Sequence, residues 1–446
     1  MKSRDEILTD ERLSFVRGKR MAAREAAFSE CEKIIGAEAT VELRRFYDIF
    51  DEKIYVWLAG LYDRESGAFY YSNSARDTRL YLPDIESTAQ VLKFLGTSGM
   101  IGSGGGGNLA KVPEFVRDGI VNFALSLQDG DGYFYHPQWG KNISVSRRGR
   151  DLSWARNILS EVHIEPKYPL PTAKGKDGRK SAFLPDYLQE LGLFKKYLSE
   201  MDLSRNSYYI GNVIESTVSQ ISAAGIEYVE YLLSWLNSQN RADNGLWEEG
   251  VSYASVNGLM KIAGSYPHLH AALPNAIASL RSAVYAALSD EKMKFVCEVY
   301  NPWAAMVSIF KANGGLSDSE ELDMLRKELI KNASAAIRKT ADKVITFRKE
   351  DGSYSYFRNM SSAVSQRAPI AVPRTNEGDV NATTICVGST IRSMSEALGI
   401  PRVPVFVPED GEVFFELLGV SPRIEKKFDI GDVFPEKPSY EEETET

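Results

Sequence analysis

The sequence has few cysteines and no long apolar segment, and each absence excludes a class of protein. Its three cysteines, Cys31, Cys297 and Cys386, lie far apart without a CxxC spacing, so we expect buried thiols in a reducing compartment. No apolar run reaches the roughly 20 residues that span a membrane. The N-terminal residues are charged throughout and lack the apolar core of a secretory signal, so the cytoplasm is the expected location.

Positive charge is also in short supply. The 53 Lys and Arg residues are outnumbered by 61 Asp and Glu, which gives a net charge of −8 and disfavours nucleic acid as a partner. The sequence contains no dinucleotide fingerprint, nucleophile elbow or metal motif, so we expect no cofactor and no metal. A small-molecule or oligosaccharide substrate is the expected partner, and the sequence leaves the oligomeric state open.

What the chain does contain is a loop-then-helix unit that occurs four times. Each copy has a turn residue, a glycine and then an aromatic residue within two positions, as in SGAFYY, DGYFYH, NGLWEE and DGSYSY. The glycines are separated by 65, 113 and 107 residues. These separations correspond to one, two and two copies of a unit of roughly 55 residues, which is the size of a helical hairpin.

The helical segments between these loops are of two alternating kinds. Segments such as EFVRDGIVNFALSLQ are amphipathic and charged, whereas ESTAQVLKFLG, NPWAAMVSIFKANG and NATTICVGSTI are rich in small residues and nearly uncharged. The alternation predicts an outer ring of helices facing water and an inner ring packed on both sides. Twelve helices from residue 38 onward make six hairpins, so the predicted fold is all-α, an (α/α)6 toroid or barrel.

The predicted organisation has three parts. An N-terminal helical extension covers residues 1–37, the toroid covers 38–400, and a partly disordered C-terminal extension covers 401–446. The run VPVFVP at 403–408 is the one convincing β-type segment. The Gly-rich stretch 99–109 lacks the Lys-Ser/Thr of a phosphate loop and is predicted to be a flexible connector.

The repeats resemble those of a known superfamily. QDGDGYFYHP, SQNRADNGLWEEGVSYASVNGLMKIAG and the segment from FRKEDGSYSYFRN to GDVNATT are similar to the repeats of terpenoid cyclases and protein prenyltransferases. The resemblance covers roughly residues 38–400 and implies the α/α toroid. It does not imply one activity, because the same toroid also hosts polysaccharide lyases and binding proteins.

This chain departs from the activity-specific motifs of that superfamily. The D-x-D-D-T motif of class II cyclases corresponds here to DIEST, from Asp84, and DVNAT, from Asp379. The middle position is a carboxylate, Glu86, in the first and an amide, Asn381, in the second. The zinc ligands of protein prenyltransferases have no counterpart among the four histidines.

Carboxylates at the predicted starts of inner helices are the first candidate catalytic groups. Asp84, Glu86, Glu215 and Asp379 would each lie in a first helical turn at the mouth of the barrel. The alternative role is helix capping, since such side chains accept hydrogen bonds from free N–H groups. His136 and Tyr253 complete the candidate catalytic set.

Arginine and aromatic residues are the candidate substrate-binding groups. Three long loops of the same connection type, 64–83, 130–150 and 352–378, carry three arginines each, and arginine binds carboxylate, sulfate or phosphate in a bidentate manner. Internal salt bridges are the alternative, and aromatic residues serve either as core wedges or as stacking surfaces. The candidate residues are Arg147, Arg150, Asp151, Arg374, Trp139, Trp154, Trp247, Trp303, Asn257 and Asn381.

Three functions remain open from the sequence. The favoured one is an enzyme that acts on an anionic saccharide, either a uronate-type lyase or a glycoside hydrolase. The second is a terpenoid or prenyl-type cyclase with Glu86 or Asp379 as the acid, which predicts an apolar cavity. The third is a non-catalytic toroid that binds a ligand.

Overall fold

The computed structural model describes residues 2–102, 107–173, 181–314 and 319–426, and helices dominate it. The predicted all-α class is confirmed. In chain order the helices are α1 (Arg4–Ile7), α2 (Asp10–Tyr47), α3 (Lys53–Ala59), α4 (Asn73–Asp77), α5 (Ile85–Ser98), α6 (Glu114–Ser126), α7 (Val145–Glu161), α8 (Leu191–Ser199), α9 (Leu203–Ala224), α10 (Ile226–Gln239), α11 (Tyr253–Ser265), α12 (Ala276–Leu288), α13 (Cys297–Asn313), α14 (Ser319–Lys331), α15 (Ala333–Val344), α16 (Val380–Thr384), α17 (Thr390–Leu398) and α18 (Pro408–Val420).

Strands contribute only two short antiparallel hairpins to the described part of the chain. The first pairs β1 (Tyr62–Asp63) with β2 (Ala68–Phe69). The second pairs β3 (Val364–Ser365) with β4 (Ala368–Pro369). The first lies between α3 and α4, and the second lies between α15 and α16.

The four glycines of the repeated unit all have positive φ angles. Gly67, Gly132, Gly245 and Gly352 have φ values of 75°, 85°, 69° and 90°. This left-handed region is strained for residues with a Cβ atom, so the turn at the start of each unit requires glycine. A Cβ on Gly352 would also lie 2.8 Å from the backbone N of Ile54. The repeat seen in the sequence is therefore a repeat of a glycine with positive φ.

The buried helices contact one another in a regular order. The contacts link α5 to α7, α7 to α9, α9 to α11, α11 to α13, and α13 to α17. A π-helical segment, Ile385–Ser389, joins α16 to α17, and both it and α16 contact α5. Most residues of α5, α11 and α13 are buried, as the small-residue pattern predicts.

Amphipathic helices pack against this set from outside. α6 contacts α5 and α7, α10 contacts α9, and α12 contacts α11 and α13. The chain between α13 and the β3–β4 hairpin forms α14 and α15, with a break at Asn332. The side chain of α15 residue Thr340 accepts a hydrogen bond from the buried Trp303 at 3.0 Å, which fixes this outer helix to α13.

The two terminal segments pack on the same core. α2 consists of two helical stretches that meet at a kink at the non-helical Gly36, next to the predicted boundary at residue 37. Arg20 of α2 forms a buried ion pair with Asp410 of α18, with Nη2 and Oδ1 2.6 Å apart. The strand predicted at 403–408 is wrong: these residues are irregular and α18 begins at Pro408. Residues 427–446, where disorder is predicted, lie outside the described residues.

Candidate functional site

One cavity of about 350 Å³ is bordered by side chains from six buried helical segments. These segments are α5, α7, α9, α11, α13, and α16 with the π-helical segment that follows it. The three long loops also contribute to the cavity, through Tyr71, Ser144 and Gln366 respectively. Among the described residues of the Gly-rich stretch 99–109, none lines this cavity. The cavity thus lies where the sequence places the long outer-to-inner loops.

A second depression, of about 820 Å³, is wider but is lined by fewer charged side chains. It is lined by residues of 242–251, 272–285 and Asn313, and its charged residues are Asp243 and Arg281. Within the described ranges, none of its lining residues has a buried polar atom without a partner. The smaller cavity is therefore the candidate site.

The first feature of the site is a buried arginine that contacts three carboxyl groups. Arg147 is fully buried, and its Nη1 donates to Glu86 Oε2 at 3.0 Å while its Nη2 donates to Asp84 Oδ1 at 3.3 Å. Its Nε lies 3.0 Å from Asp151 Oδ1. The indole of Trp139 covers the guanidinium at 4.9 Å. This arrangement keeps both α5 carboxylates fixed at the cavity wall.

Local helix starts explain how these side chains meet. Asp84 caps α5 by accepting hydrogen bonds from the backbone N of Glu86 and Ser87, both at 3.0 Å. Ser144 caps α7 in the same way through the backbone N of Arg147. Since α5 and α7 are neighbours, the first turns of the two helices lie side by side. Asp84 therefore both caps α5 and belongs to the charge cluster.

The charges of the cluster shape the acidity of its carboxyl groups. Burial alone would raise the pKa of Glu86, but Arg150 and Arg147 outweigh it and the net pKa is lowered. Burial raises the pKa of Asp151 to about 7, against the opposing effect of Arg147. Arg147 and Arg150 thus lie beside the carboxyl groups of Asp84, Glu86 and Asp151. Of these, Asp151 has the pKa that is raised to about 7.

Further cations line the same cavity. Lys261 of α11 forms an ion pair with Glu215 of α9, with Nζ and Oε2 2.7 Å apart. Lys93 of α5 and Arg367 of the β3–β4 hairpin also line it. Five basic residues therefore face three acidic ones, so the cavity carries an excess of positive charge although the whole chain is acidic.

Several buried polar atoms of the lining residues have no hydrogen-bond partner. They are Gln90 Oε1, Asn212 Nδ2, Asn301 Oδ1 and Trp154 Nε1. The three amide side chains are each less than 10% exposed. A buried polar atom without a partner costs free energy, so these atoms favour a polar ligand over an apolar one in the cavity.

The β3–β4 hairpin extends over the charge cluster. Ser365 Oγ donates to Glu86 Oε2 at 2.7 Å, and Ser144 Oγ donates to the carbonyl of Gln366 at 2.8 Å. The two turn residues, Gln366 and Arg367, have φ values of 50° and 70°. Positive φ at both positions matches the type I′ turn, which favours Asn and Gly over these side chains.

The structure brings together seven of the residues that the sequence singles out. Asp84, Glu86, Arg147, Arg150, Trp154, Glu215 and Asn381 all line the cavity. The predicted position of Glu215 in a first helical turn is wrong, because α9 begins at Leu203. It lies near the middle of that helix and reaches the cavity from its side.

The remaining candidates do not line the cavity, and contacts within the protein account for most of them. Asp151 and Trp139 support Arg147 from behind. Asp379 caps α16 by accepting from Ala382 N at 2.7 Å, and burial raises its pKa to about 7. Arg374 is exposed. Tyr253 donates to Ser289 O, Trp247 to Leu236 O, Trp303 to Thr340 Oγ1, and Asn257 accepts from Asn301.

His136 is also held by the loop around it. Its Nε2 donates to the carbonyl of Pro83 at 2.8 Å, and its Nδ1 accepts from the backbone N of Gln138 at 3.2 Å. Burial lowers its pKa to about 4. The ring is therefore neutral near pH 7, with its one proton on Nε2, and it stacks on Trp139 at 4.0 Å.

Sequence reasoning missed Lys93, Lys261, Asn212 and Asn301. Each is flanked along its helix by apolar or small residues, a pattern that a packed core also contains. Their spacing is the signal that was available: Glu86, Gln90 and Lys93 lie at i, i+4 and i+7 and so share one face of α5. Arg367 belongs to a loop singled out for its arginines.

Comparisons with protein-family models, curated proteins and solved structures returned no match. In the described part of the chain, no group of three or more His, Cys, Asp or Glu side chains is placed to hold a metal ion. The helices described also include none that is long and apolar enough to cross a membrane.

Proposed function

We propose that residues 38–400 form an (α/α)6 toroid like that of the terpenoid cyclases and protein prenyltransferases. Two observations support this arrangement. The order of contacts among the buried helical segments returns from α16 to α5, and one cavity touches all six of them. The amphipathic helices α6, α8, α10, α12 and α15 precede α7, α9, α11, α13 and α16 in the chain, which is the alternation that the hairpins of a ring require.

We propose that the cavity binds an anionic saccharide and that the protein is an enzyme acting on it. The observation that carries this proposal is the excess of basic over acidic side chains in a polar cavity. Trp154, Tyr209 and Tyr300 add aromatic faces of the kind on which sugar rings stack. Buried amides without partners supply donors and acceptors for hydroxyl groups.

Elimination fits the lining residues better than hydrolysis does. Glycoside hydrolysis needs a carboxylic acid with a raised pKa beside the scissile bond. The carboxyl groups whose pKa is raised to about 7, those of Asp151, Glu298 and Asp379, do not line the cavity. Glu86 is held ionised by two arginines. Cations that neutralise a uronate carboxylate are what β-elimination requires.

A cyclase fits the cavity less well. Carbocation chemistry calls for an apolar, aromatic cavity with an acid at its top, whereas this cavity is lined by five basic side chains. At the positions that match the cyclase motif, Glu86 has a lowered pKa and Asn381 is an amide. Prenyl diphosphates therefore serve as the competing ligand class in a direct test.

The test is a binding and turnover panel. Oligosaccharides of galacturonic, mannuronic and glucuronic acid are compared with sulfated sugars, neutral oligosaccharides of the same length and prenyl diphosphates, using calorimetry and the ultraviolet absorbance of unsaturated sugars. We expect uronates to bind and to be cleaved. Binding without turnover of any ligand would identify a non-catalytic toroid, and reaction of the diphosphates alone would identify a cyclase.

Arg150 provides the matched variant for that panel. Its Nε lies 3.4 Å from Glu86 Oε1 at the cavity wall. Arg150→Ala should weaken uronate binding about tenfold or more, since a charged hydrogen bond is worth about 1.5–3 kcal/mol. Arg156→Ala changes an arginine of the same helix that does not line the cavity, and it should bind as the wild type does. Equal affinity in both variants would place the anion site elsewhere.

A further inference from the structure

Lys93 differs from the three basic residues that α7 and α11 contribute to the cavity wall. Arg147 and Lys261 each form ion pairs, and Arg150 pairs with Glu86. Across the described residues, the Lys93 side chain makes neither a hydrogen bond nor an ion pair, and its Nζ lies 5.9 Å from the centre of the Tyr300 ring. It lies on the same face of α5 as Glu86, deeper along the helix. An amine in this position is available to a ligand.

The surroundings of Lys93 favour the neutral amine. Burial is the largest effect, and the positive charges of Arg392, Lys261 and Arg150 act in the same direction. The one opposing charge is that of Glu215, which is already paired with Lys261. Together these effects lower the pKa of Lys93 to about 8. A substantial fraction of the amine is therefore unprotonated under mildly alkaline conditions.

We propose that Lys93 is the catalytic base of the site, removing the proton from the carbon next to the carboxylate of a bound uronate. This inference rests on the proposed function. The position of the amine, deep in the cavity and without a partner, carries it. Arg150, near the start of α7, would hold the carboxylate and stabilise the enolate that forms as the proton leaves.

The step balances without any further reactant. Neutral Lys93 Nζ takes the proton, the C–H electron pair becomes the new C=C bond, and the C–O bond to the next sugar breaks. The leaving oxygen then takes a proton back from the Lys93 ammonium. One C–H and one C–O bond are exchanged for one C–C π bond and one O–H bond, and the amine returns to its starting state.

A purely electrostatic role for Lys93 predicts the opposite pH dependence. A base acts in its unprotonated form, so kcat/KM should rise as pH increases through about 8. An amine that only binds an anion acts in its protonated form, so affinity should fall through the same range. The direction of the pH profile thus separates the two roles.

The experiment compares Lys93→Arg and Lys93→Met with the wild type on the uronate oligosaccharide that the wild type cleaves. Arginine keeps the positive charge but does not lose its proton in this pH range. We expect both variants to lose kcat by about 100-fold or more. Lys93→Arg should keep its dissociation constant within a few fold, and its residual activity should no longer rise near pH 8.

Lys343 offers a matched control. It is also a largely buried lysine whose pKa burial lowers to about 8, and its Nζ lies 5.1 Å from a tyrosine ring, that of Tyr253. It does not line the cavity and instead donates to the carbonyl of Ala287 at 2.9 Å. Lys343→Arg should keep the activity and pH profile of the wild type. Thermal unfolding of each variant identifies any loss that comes from misfolding.

The outcomes are distinct. If Lys93→Arg cleaves the uronate at the wild-type rate, or if wild-type kcat/KM falls as pH rises through 8, the base is another residue and the proposed function still stands. If the wild type neither binds nor cleaves any uronate, the proposed function fails and this inference fails with it. If Lys93→Arg still binds the uronate but loses turnover, and its activity no longer rises near pH 8, the result supports both the proposed function and this inference.

Discussion

At the residue scale, Arg147 is the side chain on which the other charges of the cavity wall depend. It has no exposed surface and contacts Asp84, Glu86 and Asp151. Removing one partner of a buried ionic network is costly because the opposite charges remain buried without compensation. The stability of the cavity wall, and the charge on it, therefore depend on the guanidinium of Arg147.

We predict that Arg147→Met lowers the free energy of unfolding by about 3–5 kcal/mol. Arg148→Met changes the neighbouring arginine, whose guanidinium lies 4.8 Å from the Tyr133 ring, and should cost only about 0.5–1 kcal/mol. Urea unfolding followed by circular dichroism measures both. Equal losses in the two variants would show that the carboxylates do not depend on Arg147.

Much of this residue-scale arrangement was predictable from the sequence, and part of it was not. The segments DIEST and SRRGRD carry dense polar groups at helix starts, so Glu86, Arg147 and Arg150 were identifiable. Lys93 was not, because one lysine in an apolar helix is equally consistent with a side chain that reaches solvent. Its lack of a partner follows only from the positions of helices distant in sequence.

At the element scale, Gly149 of α7 lies at a close contact with the neighbouring helix α9. A Cβ on Gly149 of α7 would lie 2.4 Å from the backbone carbonyl O of Ser216 on α9. Backbone atoms cannot yield by rotating a side chain, so any larger residue must push the two helices apart. Gly149 also lies directly before Arg150, whose position would shift with the helix.

We predict that Gly149→Ala lowers the free energy of unfolding by about 1–3 kcal/mol, because it overpacks the α7–α9 contact. It should also weaken uronate binding by displacing Arg150. Gly192→Ala on the outer helix α8 is the control, since nothing lies within 4 Å of its added Cβ. That change should be neutral or stabilising, as alanine favours helix. Chemical denaturation and calorimetry on both variants test this, and a neutral Gly149→Ala would contradict it.

Helices were easier to predict than the segments around them. Their type and order follow from hydrophobic periodicity, but the starts differ where a cap lies far upstream, as Asp202 does for α9. The apolar run at 403–408 does not form a strand, since no partner strand lies beside it within the described residues. Val403 and Phe406 are instead buried as an irregular segment.

At the scale of the whole molecule, the terminal segments and the central helices share one hydrophobic core. Buried residues of α2 and α18, such as Phe28 and Phe414, belong to the same cluster as those of α5 and α13. The Arg20–Asp410 ion pair joins the two terminal helices, and both side chains are less than 10% exposed. Elements that share a core in this way unfold together.

We predict that the protein unfolds in a single transition, with coincident curves from circular dichroism and tryptophan fluorescence. Arg20→Met should shift both curves to lower denaturant together, because Asp410 stays buried without its partner. Arg17→Met, at a half-exposed position on the same helix, should shift them far less. An early transition confined to one probe would instead indicate that residues 1–37 form an independent extension.

The contact between α5 and α16 bears on how this chain is made. Gln90 Nε2 donates to Asn381 Oδ1 at 3.3 Å across 291 residues of sequence, and Val380 N donates to the carbonyl of Tyr71 at 2.9 Å. A chain synthesised from its N-terminus produces α5 long before its partner exists. Until residue 380 leaves the ribosome, the apolar flank of α5 that α16 will cover stays open. The nascent chain is therefore exposed to aggregation, or dependent on a chaperone, through most of its synthesis.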